Sequence, residues 1–259
     1  MSETGTETNW WSGLYDDLLA ELLLVRDDAA EVDDTVRFLV ERLELAPGAR
    51  VFDQCCGIGS LAVPLAQRGF DVVGVDQAAR YVERGNREAQ TLGGLSCKLF
   101  AGDAFAFLPE RPVQGAFNWW TSFGYTSDDA RNAEMLARAK DALVPGGLFA
   151  LDTLGLPGVL RGFQPQVVTR RRTPEGEIVL VRESSLDLAA GFMNKVWTYF
   201  LPNGRRVTHE SRLRLYLPHT LVALMRGVGF EDVTLHGGIR GEPLDADTKR
   251  CIVVGRRPR

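Results

Sequence analysis

The sequence predicts a doubly wound α/β fold: a mostly parallel sheet of seven strands, with an antiparallel β insertion after the fifth strand. Three observations carry this. From residue 47 to about 160, short apolar runs alternate with helical patterns, which calls for right-handed crossovers and a sheet covered on both faces. Between about 163 and 216 the apolar period becomes two, the mark of antiparallel strands with one face buried. A glycine-rich turn, "VFDQCCGIGS" over residues 51–60, follows the first strand, where open parallel sheets receive ligands.

Each element follows from its own pattern. Residues 9–25 read as one helix with Leu14, Leu18, Leu22 and Val25 on a stripe, and 29–44 as a second with Val32, Val36, Leu39, Val40 and Leu43 inward. Pro47-Gly48 ends it. "ARVFDQ", "FDVVGVD", "SCKLFAGD", "VQGAFNWW" and "LFALDT" are the first five strands. The helices between them are expected from Ser60 to about Arg68, from Gln77 to Thr91 and from Ser127 to Leu143. Pro64 is tolerable only in the first turn of its helix. "QVVTRRR", "EIVLVRESSLDL", "FMNKVWTYFL" and "RRVTHESRLRLYL" form the insertion, turning at "PEG", "AAG" and "PNG". A helix, "PHTLVALMRGVGF", and two strands, "EDVTLHGGI" and "RCIVVGRR", close the chain.

Composition narrows the functions. A net charge of −4 with scattered basic residues argues against a nucleic-acid partner. Arg170–Arg172 and Arg205-Arg206 read as solvated strand ends. No run of about 18 apolar residues spans a membrane. "MSETGTETNWW" lacks a basic segment followed by an apolar core, so a cytoplasmic location is expected. Cys55, Cys56, Cys97 and Cys251 lack the spacing of a metal site. They read as buried, reduced thiols, and no metal is expected.

The turn asks for a nucleoside. Gly57 and Gly59 permit a tight bend and a close ligand approach to backbone N–H groups. Asp76 ends the second strand and can accept hydrogen bonds from ribose hydroxyls. Ser60, Leu61 and Ala62 follow Gly59, so the third glycine of a dinucleotide fingerprint is missing, and Asp53 would repel a pyrophosphate. The acid suits a cationic ligand.

In these motifs the chain resembles the class I S-adenosylmethionine-dependent methyltransferases, in particular a small-molecule branch, over about residues 10–255. "VFDQCCGIGS" resembles the family's first motif, "VVGVDQ" the ribose-binding strand end, "AGDAF" the adenine-binding segment and "LVPGGLFALD" the entry to the fifth strand. "FNWWTSFGYTSDDARN" resembles the fourth strand and its loop. Cys55 stands where the family usually has a glycine or small residue, and Val113-Gln114 where it has Phe-Asp.

The resemblance implies S-adenosyl-L-methionine as cofactor, S-adenosyl-L-homocysteine as product, and methyl transfer to nitrogen or oxygen of a small molecule. The cofactor residues it implies are Tyr15, Asp53, Cys55, Gly57, Gly59, Asp76, Gln77, Gly102, Asp103, Ala104 and Trp119. Trp120, Phe123 and Tyr125 are candidates for the acceptor, and Tyr125, His209, His219 and Asp152 for orienting or deprotonating it; His236 is discounted. Residues 1–46 are expected as helices covering the cofactor. Residues 47–160 and 216–259 form the core, and 161–215 a cap or homodimer surface. An oxidoreductase using NAD(P), or a cofactor-binding protein without turnover, are the alternatives.

Overall fold

A computed structural model describes residues 10–26 and 28–259. The start of the expected N-terminal cover, residues 1–9, lies outside the described residues. In chain order the elements are α1 (Trp11–Leu14), α2 (Asp17–Leu19), a π-helical turn (Ala20–Leu24), α3 (Ala29–Arg42), β1 (Arg50–Gln54), α4 (Ala62–Gln67), β2 (Asp71–Asp76) and α5 (Ala79–Thr91). Then come β3 (Cys97–Ala101), β4 (Val113–Asn118), α6 (Asp129–Ala142), β5 (Leu143–Leu154) and α7 (Leu156–Arg161). The insertion is β6 (Gln166–Thr173), β7 (Gly176–Asp187), β8 (Phe192–Phe200) and β9 (Arg206–Arg214), and α8 (Pro218–Gly227), β10 (Glu231–His236) and β11 (Arg250–Arg256) return to the core.

The main sheet has seven strands in the order β10-β11-β5-β4-β1-β2-β3. β11 runs antiparallel to β5 and β10, and the other pairs are parallel. The chain winds outward from β1 through β2 to β3, then returns to place β4 on the other side of β1, so the switch point lies between β1 and β4. Alternation along β1 sends Val51 and Phe52 into opposite layers: Val51 packs with Val36 and Leu39 of α3, and Phe52 with Leu136 and Ala139 of α6. Pro64 sits at the third position of α4, within its first turn.

The N-terminal segment departs from the expected single helix. Asp16 takes an extended backbone and its carboxylate accepts from the Leu19 amide at 2.9 Å, so α1 ends and α2 restarts. The break directs Leu14, Leu19 and Leu22 against Ile178, Leu180 and Tyr199 of the insertion. The insertion is an antiparallel sheet in the order β6-β7-β8-β9, close to the expected strand limits. α7, a short helix opening with Pro157, was not anticipated. Among the described residues no helix is long and apolar enough to cross a membrane.

Candidate active site

At the carboxyl ends of β1, β2 and β4 the chain lines a partly open cavity of about 370 Å³. Its walls come from the glycine turn, the loop after β4, the N-terminal segment and one face of the insertion.

The turn is held from β2. Asp76 Oδ2 accepts from the Gly57 amide and Oδ1 from the Ala78 amide, both at 2.9 Å. Burial raises the Asp76 carboxyl above its ordinary range, and these two amides pull it back. The Gly57 N–H is therefore engaged by Asp76 and not left for a ligand. Cys55, Gly57 and Gly59 all take positive φ, +66°, +55° and +82°, and for Cys55 the side chain makes this costly. Beneath the turn, a methyl on Gly85 of α5 would lie 2.7 Å from the Ile58 carbonyl oxygen. Gly85 thus permits the close helix approach that a third glycine provides elsewhere. Burial pushes both Cys55 and Cys56 thiols up, which keeps them protonated.

Aromatic residues close the middle of the cavity. Tyr15 and Tyr125 share a hydroxyl–hydroxyl hydrogen bond, and their rings stack with centroids 6.3 Å apart. Burial raises both phenols. Trp10 Nε1 donates to the Tyr125 carbonyl at 3.3 Å. Trp120 and Thr121 follow β4 at φ +55° and +63°, a backbone that needs outside support. Asp152 supplies it, accepting from the Trp120 amide at 3.0 Å while Arg250 Nε donates to its other oxygen at 2.9 Å. Arg26 lies over the Trp120 ring, 4.0 Å from its centroid.

The insertion supplies the far wall: Arg182 from β7, Lys195 and Trp197 from β8, and Ser211 and Leu213 from β9. Arg182 pairs in register with Trp197, and Lys195 with Ser211, so these side chains share one face. Trp197 Nε1 donates to Ser211 Oγ at 2.8 Å. Burial, with Arg182 nearby, pushes the Lys195 ammonium down to about 8.

Residues 51–147 match the protein-family model described as a methyltransferase domain. The chain carries a methyltransferase domain. The match covers less than half of the chain, and structural likeness extends it. CcbJ, a methyltransferase from Streptomyces caelestis, gives a TM-score of 0.77 over 95% of this chain and 98% of its own, at 19% identity. CalS10 from Micromonospora echinaspora, described as an amino pentose methyltransferase with SAM bound, gives 0.64 over 99% of each chain at 17% identity. At these identities the likeness is one of fold, and the fold is that of S-adenosylmethionine-dependent methyltransferases. Among curated sequences, 80 residues are 36% identical to the 23S rRNA (uracil(1939)-C(5))-methyltransferase RlmD of Alkalilimnicola ehrlichii, 30% of this chain and 18% of that protein. The chain spans less than a fifth of the length of the curated relatives it first matches.

Within the methyltransferase domain and its additions, most of the expected residues meet at the cavity. Tyr15, Cys55, Gly57, Asp76, Gln77, Asp103, Ala104, Trp119, Trp120 and Tyr125 line it. Gly102 lines an adjoining groove with Gln77 and Asp103. Gly59 faces Leu99 and Val63 beneath the turn. Asp53 is buried at the end of β1, where burial and neighbouring Asp76 raise its carboxyl. Phe123, expected against the acceptor, is buried against the Tyr216 ring at 5.6 Å instead.

Three expected catalytic groups stand apart from the cavity lining. His209 Nε2 lies 3.2 Å from Asp16 and ties the N-terminal segment to the insertion. His219 is exposed at the start of α8. Asp152 is buried with Arg250, as described above. Arg26, Arg182, Lys195, Trp197 and Ser211 were missed. The only signal for four of them was two-residue alternation in the insertion, which equally describes strands packed on helices.

Proposed function

We propose that the chain is an S-adenosylmethionine-dependent methyltransferase that methylates nitrogen or oxygen of a small-molecule acceptor. The carrying observation is Asp76: its carboxylate closes β2, braces the turn through two backbone amides, and lines the same cavity as the aromatic residues after β4. Asp76 would hold the ribose of the cofactor, Asp103 and Ala104 its adenine, and Tyr15 with the Gly57 carbonyl its methionine part. A cavity lined by two carboxylates and by several aromatic faces fits a cationic nucleoside. The cofactor supplies an electrophilic methyl group on a sulfonium.

The chain's own contribution is placement. In-line displacement disperses charge, so fixed orientation accounts for much of the rate. Trp120 and Thr121, braced by Asp152, set the wall of the cavity at the end of β4. The Tyr15–Tyr125 pair orients without abstracting a proton, because burial keeps both phenols protonated. Support for a small-molecule acceptor comes from the size of the cavity, about 370 Å³, and from full-length likeness to an amino pentose methyltransferase. The RNA methyltransferase likeness is confined to under a third of the chain.

Calorimetry with S-adenosylhomocysteine and NADH tests the reading. Binding of the first and not the second is expected; the reverse result would replace the methyltransferase by an oxidoreductase.

A further inference from the structure

We propose that the acceptor carries an anionic group, a carboxylate or a phosphate, received by Arg182 and Lys195 on the inner face of the insertion, while its apolar body lies against Trp197. This rests on the methyltransferase reading and names the substrate class for the same cavity.

The first support is uncompensated positive charge. Arg182 and Lys195 both line the cavity, and among the described residues neither makes an ion pair with a carboxylate. Arg182 Nη2 donates to the neutral Thr169 hydroxyl, at 3.5 Å, and its buried Nε has no partner. Both cations sit near one ring instead, 5.7 and 5.6 Å from the Trp197 centroid. An aromatic face offsets only a fraction of what two cations lose on leaving water. Ordinarily such side chains swing outward or find an acid.

The neighbours do not supply the missing charge. Tyr199 is a neutral phenol whose buried hydroxyl has no partner. The carboxylate of the adjoining segment, Asp16, is committed to the Leu19 amide and to His209. Ser211 Oγ already accepts from Trp197 Nε1, which leaves its own O–H free to donate. The low Lys195 ammonium reports the same imbalance, with burial as its main cause and Arg182 as the second.

The second support is polarity along the cavity. Asp76 and Asp103 line the cavity from the carboxyl ends of β2 and β3 in the main sheet, and Arg182 and Lys195 line it from the insertion. A cationic cofactor is matched by the acids. A second cationic or neutral molecule against the insertion would leave two cations unmatched; an anion matches them, with Arg182 offering a fork of donors suited to carboxylate or phosphate.

The test titrates the full chain, saturated with S-adenosylhomocysteine, with phenyl phosphate, benzoate and benzamide. At least one anion should bind ten times more tightly than benzamide. Preference for phenyl phosphate points to a phosphorylated acceptor, and preference for benzoate to a carboxylate. Arg182→Met and Lys195→Met should each erase the preference, and Lys195→Arg should keep it, with S-adenosylhomocysteine affinity unchanged throughout. Equal binding of benzamide, a preference surviving both methionine variants, or a parallel loss of S-adenosylhomocysteine affinity would overturn the proposal. Failure of the wild-type chain to bind S-adenosylhomocysteine would instead remove the methyltransferase reading.

Discussion

Replacing Asp76 by asparagine isolates the charge of the group that braces the glycine turn. A carboxylate offers about four lone-pair sites. Two are taken by the Gly57 and Ala78 amides, leaving two for vicinal ribose hydroxyls. Asparagine keeps one acceptor oxygen and sets an NH2 against one of the two amides, so one turn N–H or one hydroxyl loses its partner. A hydrogen bond to a charged group contributes about 1.5–3 kcal/mol, and its loss raises Kd by about 10- to 150-fold. Calorimetry with S-adenosylhomocysteine reads this directly, and a parallel melting curve shows whether the fold survives. The pH dependence has a definite sign. Burial raises the Asp76 carboxyl, and only the ionised form accepts from both amides and both hydroxyls. Wild-type affinity should therefore be flat near neutrality and fall as acidification protonates Asp76, at a higher pH than an exposed aspartate would require. The variant should lack this fall. A change in Kd below about threefold, or the same acid limb in the variant, would refute the assignment.

Three further predictions concern the framework. Lys195→Met should raise the melting temperature at pH 7. A drop from 10.5 to about 8 corresponds to about 2–3 kcal/mol of destabilisation once residual exposure is allowed for. The folded lysine sheds its proton near 8 while the unfolded chain keeps it, so the cost is full below pH 8 and fades above it; a lower melting temperature for the variant at pH 7 contradicts this. Gly85→Ala should cost about 1–3 kcal/mol by overpacking and weaken S-adenosylhomocysteine binding, because the added methyl meets the Ile58 carbonyl and Leu99. Unchanged stability and affinity would show that the helix yields freely. Asp152→Ala should cost about 3–5 kcal/mol by removing the buried partner of Arg250, whose remaining carboxylate, Glu31, lies 3.9 Å away. Asp152→Asn, which keeps an acceptor for the Trp120 amide, should hold kcat within about tenfold; a folded Asn variant with kcat lost at unchanged KM would make Asp152 a base instead.

The glycine-turn side of the cavity was legible because each of its parts directly follows or ends a strand and carries a distinctive residue: paired glycines in a turn after β1, an acid ending β2, a Gly-Asp after β3. Strand limits in the insertion were equally readable, since tight turns punctuate a clear period of two. The break at Asp16 was not, because the apolar stripe continues through it and only the insertion packed against it makes two short helices better than one. Asp152 was expected at the correct strand end but in the wrong role. Its partner, Arg250, comes from β11, and nothing in the sequence states that β11 would run antiparallel alongside β5. His209 was chosen for its chemistry alone, and tertiary packing turned it towards Asp16. The acceptor end was illegible for a related reason: Arg182, Lys195, Trp197 and Ser211 come from three strands, and register alone brings them together.

Charge at that acceptor end also bears on how a proton would leave a nitrogen acceptor. An amine arriving as ammonium cannot attack, and among the described residues no histidine lines the cavity to deprotonate it: His209 faces Asp16, and both cavity phenols are held protonated by burial. Arg26, Arg182 and Lys195 nevertheless line the same space. Burial first, and neighbouring positive groups second, favour the uncharged form of a base bound there, the same two causes that lower the Lys195 ammonium. An anion bridging Arg182 and Lys195 would relieve that field at its own end of the acceptor, yet leave Arg26, stacked on Trp120, beside the cavity's other wall. Cations holding one end of a nitrogen acceptor and desolvation keeping its nitrogen neutral would then be compatible, and for such an acceptor fixed orientation between two sheets would suffice without a dedicated base.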